Sequence, residues 1–256
     1  MEEYDELSSG PNASGALDLS HGAWASLPPE LYTYAPRLIT LHLQNNEISE
    51  VGDEFGNLYM LSHLNLERNS IKSLSDTIGS CLRLRDLNLG FNKLTSVPSS
   101  LSKCVLLERL YLNNNNLVSI PSELSEIFAL KVLDLRYNQL ESLPTSLAKI
   151  PTLESVDCAG NPRLQMVPDD MRDSSSMVIW VLRLFSAQEE TVGTKERDYR
   201  ALDKKAMDML EEELRLKDDL STIKQSVVEL TEARPVRFIA LKKKMMEKTG
   251  GRCSIM

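Results

Sequence analysis

Aromatic residues are scarce: five Phe, seven Tyr and two Trp make up 5 % of a 256-residue chain. A core built on large rings is therefore excluded, and leucine has to carry the apolar load. No run of 18 apolar residues occurs, so no membrane-spanning helix is expected. The N-terminal MEEYDELSSG is acidic and has no apolar centre, unlike a secretory signal. Four cysteines without such a signal point to free thiols in a reducing compartment, with a cytoplasmic location. The sequon Asn12-Ala13-Ser14 then has no consequence.

Catalytic signatures are missing too. There is no phosphate-binding glycine loop, nucleophile elbow or HExxH pair. The only histidines are His21, His42 and His63. No cysteine or carboxylate joins them at zinc-like spacing, so no metal and no cofactor is expected. The chain reads as a non-enzyme. Its net charge of −8 argues against general nucleic-acid binding. One stretch runs against that sign: residues 234–252 hold seven Lys/Arg against the single Glu247. Such asymmetry marks a tail with a separate task.

What the chain does have is a repeat. On a 23-residue period LITLHLQNNEI begins at Leu38, LSHLNLERNSI at Leu61, LRDLNLGFNKL at Leu84, LERLYLNNNNL at Leu107 and LKVLDLRYNQL at Leu130. A sixth copy at Leu153 substitutes Val156 and Cys158. A weaker first copy near Ala16 has Gly22 in place of Asn. The second half of each repeat carries an apolar-Pro step at Leu27-Pro28, Val97-Pro98, Ile120-Pro121, Leu143-Pro144 and Val167-Pro168. Two apolar columns accompany it, Phe55/Ile78/Leu101/Leu124/Leu147 and Leu58/Cys81/Cys104/Ile127/Ile150. Cys81 and Cys104 are therefore read as core residues rather than nucleophiles.

In LxLxx the alternating leucines point inward from a short strand. One repeat cannot bury its apolar face alone, so neighbours must stack, with strands pairing in parallel. The column Asn46, Asn69, Asn92, Asn115, Asn138 and Asn161 turns the chain out of the sheet, because an amide both donates and accepts where backbone groups would otherwise be buried unpaired. The expected fold is an α/β solenoid with the parallel sheet on its concave face. Outward positions on that face include His42, Asn65, Asn88, Arg109, Tyr111, Asp134 and Arg136. They form the candidate partner surface, with Arg109, Tyr111 and Arg136 as anchors; the alternative is ordinary solvated positions.

These residues resemble the leucine-rich repeat family, in particular its 23-residue intracellular, Ras-suppressor-like class with the Leu-Pro step. The resemblance covers about residues 15–172 and implies protein binding without naming a partner. Residues 1–14 read as a disordered acidic N-terminus. Trp24, Tyr32 and Tyr34 suit a lid on the first repeat. MVIWVLRLF (Met177 to Phe185) suits a cap, assigned to residues 173–188.

Residues 189–233 carry heptads, with Tyr199, Ala206, Glu213, Leu220 and Val227 at a, and Leu202, Met209, Leu216, Ile223 and Leu230 at d. A long helix is expected, either a homodimeric coiled coil or a lone helix folding back. Pro235 ends it. The tail, residues 234–256, finishes in Cys253-Ser254-Ile255-Met256, which fits a C-a-a-X prenylation signal with Met favouring farnesyl. It resembles prenylated small GTPase tails over these last residues only. The resemblance implies Cys253 as the lipid-bearing residue and farnesyltransferase as the modifying enzyme. Arg237, Lys242, Lys243, Lys244, Lys248 and Arg252 would then face an anionic membrane as the second signal a single lipid chain needs. A solvated basic tail or a nuclear signal is the rival reading. The whole reads as a membrane-tethered signalling adaptor. The alternatives are a regulatory subunit of a phosphatase or ubiquitin ligase, or a cytoskeletal or ciliary protein.

Overall fold

In a computed structural model the description covers Leu7 and residues 9–191. Seven strands of three residues each form one sheet in chain order: β1 (Ala16–Asp18), β2 (Thr40–His42), β3 (His63–Asn65), β4 (Asp86–Asn88), β5 (Arg109–Tyr111), β6 (Val132–Asp134) and β7 (Ser155–Asp157). Every neighbouring pair is parallel, and the register places each repeat position over its counterpart: Leu41 opposite Leu64, Leu64 opposite Leu87, Leu87 opposite Leu110. Parallel strands require a crossover, and here the crossover is the rest of each repeat.

The strands are short because only the central residue and the next-but-one point inward. Leu41, Leu64, Leu87, Leu110 and Leu133 are buried, as are Leu43, Leu66, Leu89, Leu112 and Leu135. The returning legs are 3-10 turns rather than α-helices: Pro29–Tyr34, Asp53–Asn57, Asp76–Ser80, Ser99–Lys103, Ser122–Glu126, Thr145–Lys149 and Asp169–Met171. Twenty-three residues must make a strand, two turns and a return, which leaves about one and a half turns for the helix. The Pro step starts several of these legs. Pro98 and Pro121 sit at φ −67 and −68 just outside the first helical residue, where a missing N–H costs nothing. Both apolar columns of the returning leg are buried from Phe55 to Leu147 and from Leu58 to Ile150. At ~2 kcal/mol for each buried leucine-sized side chain, this repeated interior is the main source of stability.

The ends are closed differently. At the N-terminal end Leu7 is buried, Tyr34 Oη donates to its carbonyl at 2.8 Å, and Arg37 stacks over the Tyr34 ring. Asn12 Oδ1 accepts from the backbone N–H groups of Ser14 and Ala16 at 2.9 and 3.0 Å. Residues 12–16 are thus held by a polar turn. At the other end α1 (Ser175–Thr191) packs on β7 and on the Thr145–Lys149 turn, burying Val178, Ile179, Val181 and Leu182. Every heptad position named above, from Tyr199 to Leu230, and the basic tail of residues 234–256 lie outside the described residues, which reach only residues 189–191 of that segment.

Candidate protein-binding face

The asparagine column is a continuous ladder inside the molecule. Asn69 Nδ2 donates to Leu43 O at 2.9 Å and to Leu66 O at 3.0 Å, while its Oδ1 accepts from Ile48 N at 3.0 Å. The same three bonds recur at Asn92, Asn115, Asn138 and Asn161. Asn46 serves the atypical first repeat by accepting from Gly22 N and Trp24 N. All six side chains are buried. Each amide ties its own repeat to the one before, so the ladder sets the exit direction of every strand.

The residue before each ladder asparagine adopts a left-handed backbone: Asn45, Arg68, Phe91, Asn114 and Tyr137 at φ +54 to +58, and Gly160 at +69. Sequence reasoning passed over this column. Its chemical signal was weak, because only Asn and Gly favour that conformation and three of the six positions hold other residues.

Above the ladder lies the outward strand face. Register stacks Thr40, His63, Asp86, Arg109, Val132 and Ser155 in one column, and Asp18, His42, Asn65, Asn88, Tyr111, Asp134 and Asp157 in the next. Asp86 receives His63 Nε2 at 2.9 Å and both Nε and Nη2 of Arg109, the latter at 2.9 Å. The hydrogen bonds that Arg109 donates to Asp86 hold its guanidinium above the usual pKa. Arg136 forks onto Asp134, with Nη2 at 2.7 Å and Nε at 3.0 Å, and approaches Asp157 at 3.4 Å. The bond to Asp134 likewise raises Arg136. Two of the anchors proposed from sequence are therefore already paired, and Asp134 is buried beneath its arginine.

A further regularity appears in the second column. Asp18, Asn65, Asn88, Asp134 and Asp157 each accept, through Oδ1, the backbone N–H two residues ahead. These are Asx turns that shape the strand exit. Asn65, Asn88 and Asp134, singled out as partner contacts, thus also serve the backbone. Asn88 additionally donates to Glu67 at 3.0 Å. His42 and Tyr111 are the members of the column without such a turn. Beside the strands a third charged row runs across repeats, with Arg85 on Glu108 at 2.8 Å and Lys131 on Glu108 at 2.7 Å. Hydrogen bonds from Lys131 and then Arg85 hold the Glu108 carboxyl below its usual range. This row was missed, although the 23-residue spacing of Arg85, Glu108 and Lys131 is visible in the sequence.

Among the described residues no three His, Cys, Asp or Glu side chains converge as metal ligands, and no helix is long and apolar enough to cross a membrane. His42 and His63 sit diagonally on adjacent strands. Cys81, Cys104 and Cys158 are buried free thiols; burial pushes Cys81 up to about 11, and Cys104 and Cys158 up to about 12. A protonated, enclosed thiol is neither nucleophile nor ligand. Cys253 and the six basic residues assigned to membrane contact lie outside the described residues.

Three overlapping matches to the leucine rich repeat family model cover residues 16–71, 61–117 and 105–162. Together they take in more than half of the chain, which belongs to the leucine-rich repeat family. Among solved structures it is similar to a leucine-rich repeat protein of Leptospira interrogans, at 34 % identity and a TM-score of 0.51 over 53 % of this chain and 34 % of that one. It is also similar to the plant peptide hormone receptor RGFR1 in complex with RGF2, at 26 % identity and a TM-score of 0.50 over 53 % of this chain and 22 % of the receptor. The chain thus spans about a third of the first and about a fifth of the second. No curated protein matches it. Proteins of this family generally act by binding other proteins.

Proposed function

We propose that this chain is a non-catalytic adaptor of intracellular signalling, of the Ras-suppressor-like kind. Its strand face binds a protein partner, and its tail is farnesylated at Cys253 and attached to an anionic membrane. The strand face carries the reading: two preformed ion-pair clusters, His63–Asp86–Arg109 and Asp134–Arg136–Asp157, flank Tyr111. Charges fixed by intramolecular partners lose little freedom on binding, so such a face is preorganised. The membrane part is supported by the Cys253-Ser254-Ile255-Met256 sequence and the basic residues upstream. The apolar d column from Leu202 to Leu230 supports a homodimer through a coiled coil.

One experiment separates the parts. The full chain and a Cys253→Ser variant are expressed in a eukaryotic host and weighed intact. Farnesylation with removal of the last three residues, together with release of the variant from membranes, is the expected result. An unmodified mass, or equal membrane retention of the variant, refutes the anchor. Tyr111→Ala is expected to weaken whatever partner co-purifies without altering membrane attachment; unchanged recovery would remove the strand face from the proposal.

A further inference from the structure

Away from the strand face, four exposed apolar side chains fall in one register. Tyr59, Leu82, Val105 and Phe128 are 51, 55, 53 and 61 % exposed, and they are spaced 23 residues apart. Each occupies the turn between a 3-10 leg and the next strand. The turn is built alike in successive repeats: Leu82 N donates to Ser80 O, Val105 N to Lys103 O and Phe128 N to Glu126 O, at 2.9 to 3.0 Å. Just beyond it the backbones of adjacent repeats are bonded directly, Arg85 N to Ser62 O, Glu108 N to Arg85 O and Lys131 N to Glu108 O, each at 2.8 Å. The four side chains therefore stand in a row along the lateral edge, roughly 5 Å apart, the spacing of neighbouring strands. Leu106, 40 % exposed, widens the row beside Val105.

An aligned apolar row is not the scatter of single hydrophobic residues that ordinary surfaces carry. Nor does folding require it, because the residue before each of these positions (Leu58, Cys81, Cys104, Ile127) already fills the core. The neighbouring charges have a sign. Arg83 follows Leu82 directly, and Lys103 lies in the same turn as Val105. Neither makes an ion pair among the described residues, whereas Arg85 and Lys131 are both held by Glu108. Glu126 stands in the Phe128 turn. The middle of the row is thus cationic and its Phe128 end is not.

We propose that this edge is a second docking surface, distinct from the strand face, for an amphipathic helix of a partner protein with acidic residues beside its apolar stripe. The spacing favours a helix. Apolar positions at i, i+4, i+7 and i+11 advance about 5.4 Å per turn, close to the rise of one repeat, so about three turns match the row from Tyr59 to Phe128. The charge favours acidic flanks over the Leu82–Val105 stretch, where Arg83 and Lys103 make no ion pair among the described residues. The helix-in-groove mode of recognition uses the same anchor spacing.

The test uses the full chain and a stapled helical peptide with leucines at i, i+4, i+7 and i+11 and glutamates beside them, followed by fluorescence anisotropy. A second peptide carries lysines in place of the glutamates. The glutamate peptide should bind saturably, and the lysine peptide several-fold more weakly. Leu82→Asp and Phe128→Asp should each reduce affinity by about tenfold, as expected for anchor side chains. Both sites are exposed, so thermal melts should show the fold intact. The Arg83→Glu, Lys103→Glu double variant should reverse the preference between the two peptides. No saturable binding, equal affinity for both peptides, or undiminished binding by Leu82→Asp and Phe128→Asp overturns the proposal. So does loss, in those variants, of binding to phosphatidylcholine–phosphatidylserine vesicles, which gives the row to a membrane. Loss of self-association in those variants gives it to a second copy of the chain and equally overturns it.

Discussion

Arg172 Nη1 donates to the backbone carbonyl of Asn161, the last rung of the ladder, at 2.9 Å. The same guanidinium donates to Val167 O at 2.9 Å and to Leu164 O, while Asp169, largely exposed, pairs with it from outside. One buried cation thus closes the end of the ladder by binding three backbone carbonyls of the last repeat. Replacing Arg172 with Met keeps most of the volume but takes the guanidinium from Leu164 O and Val167 O and leaves Asn161 O with Leu164 N alone. The expected loss is about 3 kcal/mol of unfolding free energy, since unsatisfied buried groups cost roughly 1–3 kcal/mol each and partial relaxation recovers some. Urea denaturation checks it; an unchanged midpoint would show that Arg172 is not the plug.

Within the ladder, Asn115→Ala removes donors to Leu89 O and Leu112 O and the acceptor for Leu94 N. A loss of about 2–4 kcal/mol is expected by the same reasoning. Because the rung joins two repeats, the damage should also be local. Hydrogen exchange should rise first at Leu94 and at the strand exits on either side of it. Uniform loss of protection over the whole sheet would contradict a rung that acts between neighbours.

The ladder was readable in the sequence because an amide recurring in fixed register among buried leucines has little to bond except backbone. The strands and the inward leucines were readable for a similar reason: their spacing is the fold. Arg172 was not, because an arginine beyond the last repeat looks like any surface cation until its carbonyl partners are placed. The Asx turns at Asn65, Asn88 and Asp134 escaped for the opposite reason. Their outward position suggested recognition, and nothing in the pattern shows that one oxygen of each is bonded to its own backbone. The row from Tyr59 to Phe128 was periodic all along. Its exposure could be known only once Leu58, Cys81, Cys104 and Ile127 were seen to fill the adjacent interior.

Asp157 gives a pH dependence with a defined sign. Burial is the largest influence and raises its pKa above 3.8, against the opposing hydrogen bond from Ala159 N and the attraction of Arg136. A raised carboxyl favours the fold most when protonated. Its contribution is therefore present below the unfolded-state value and is lost as pH rises from about 3.8 through the raised value. Asp157→Asn keeps the acceptor for Ala159 N and removes the buried charge. The variant should equal or exceed the parent in melting temperature at pH 7, and the advantage should vanish near pH 3. A variant less stable at pH 7 would mean that the attraction of Arg136 outweighs burial.

The left-handed column allows a sharper test of backbone against side chain at Phe91, φ +55 and 42 % exposed. Asparagine already holds the equivalent left-handed position at Asn45 and Asn114. Phe91→Asn should therefore relieve backbone strain and lose only the Arg68 stacking, where the guanidinium carbon lies 5.1 Å from the ring centre. These two effects oppose each other at about 1 kcal/mol apiece, so little net change is expected. Phe91→Val loses the same stacking and places a β-branched residue where its Cβ substituents crowd the backbone. The valine variant should be about 1–2 kcal/mol less stable than the asparagine variant. Because both substitutions discard the ring, the difference between them isolates the conformation. Equal denaturation midpoints would show that the turn relaxes out of the left-handed region, and that the ladder does not hold the preceding residue there.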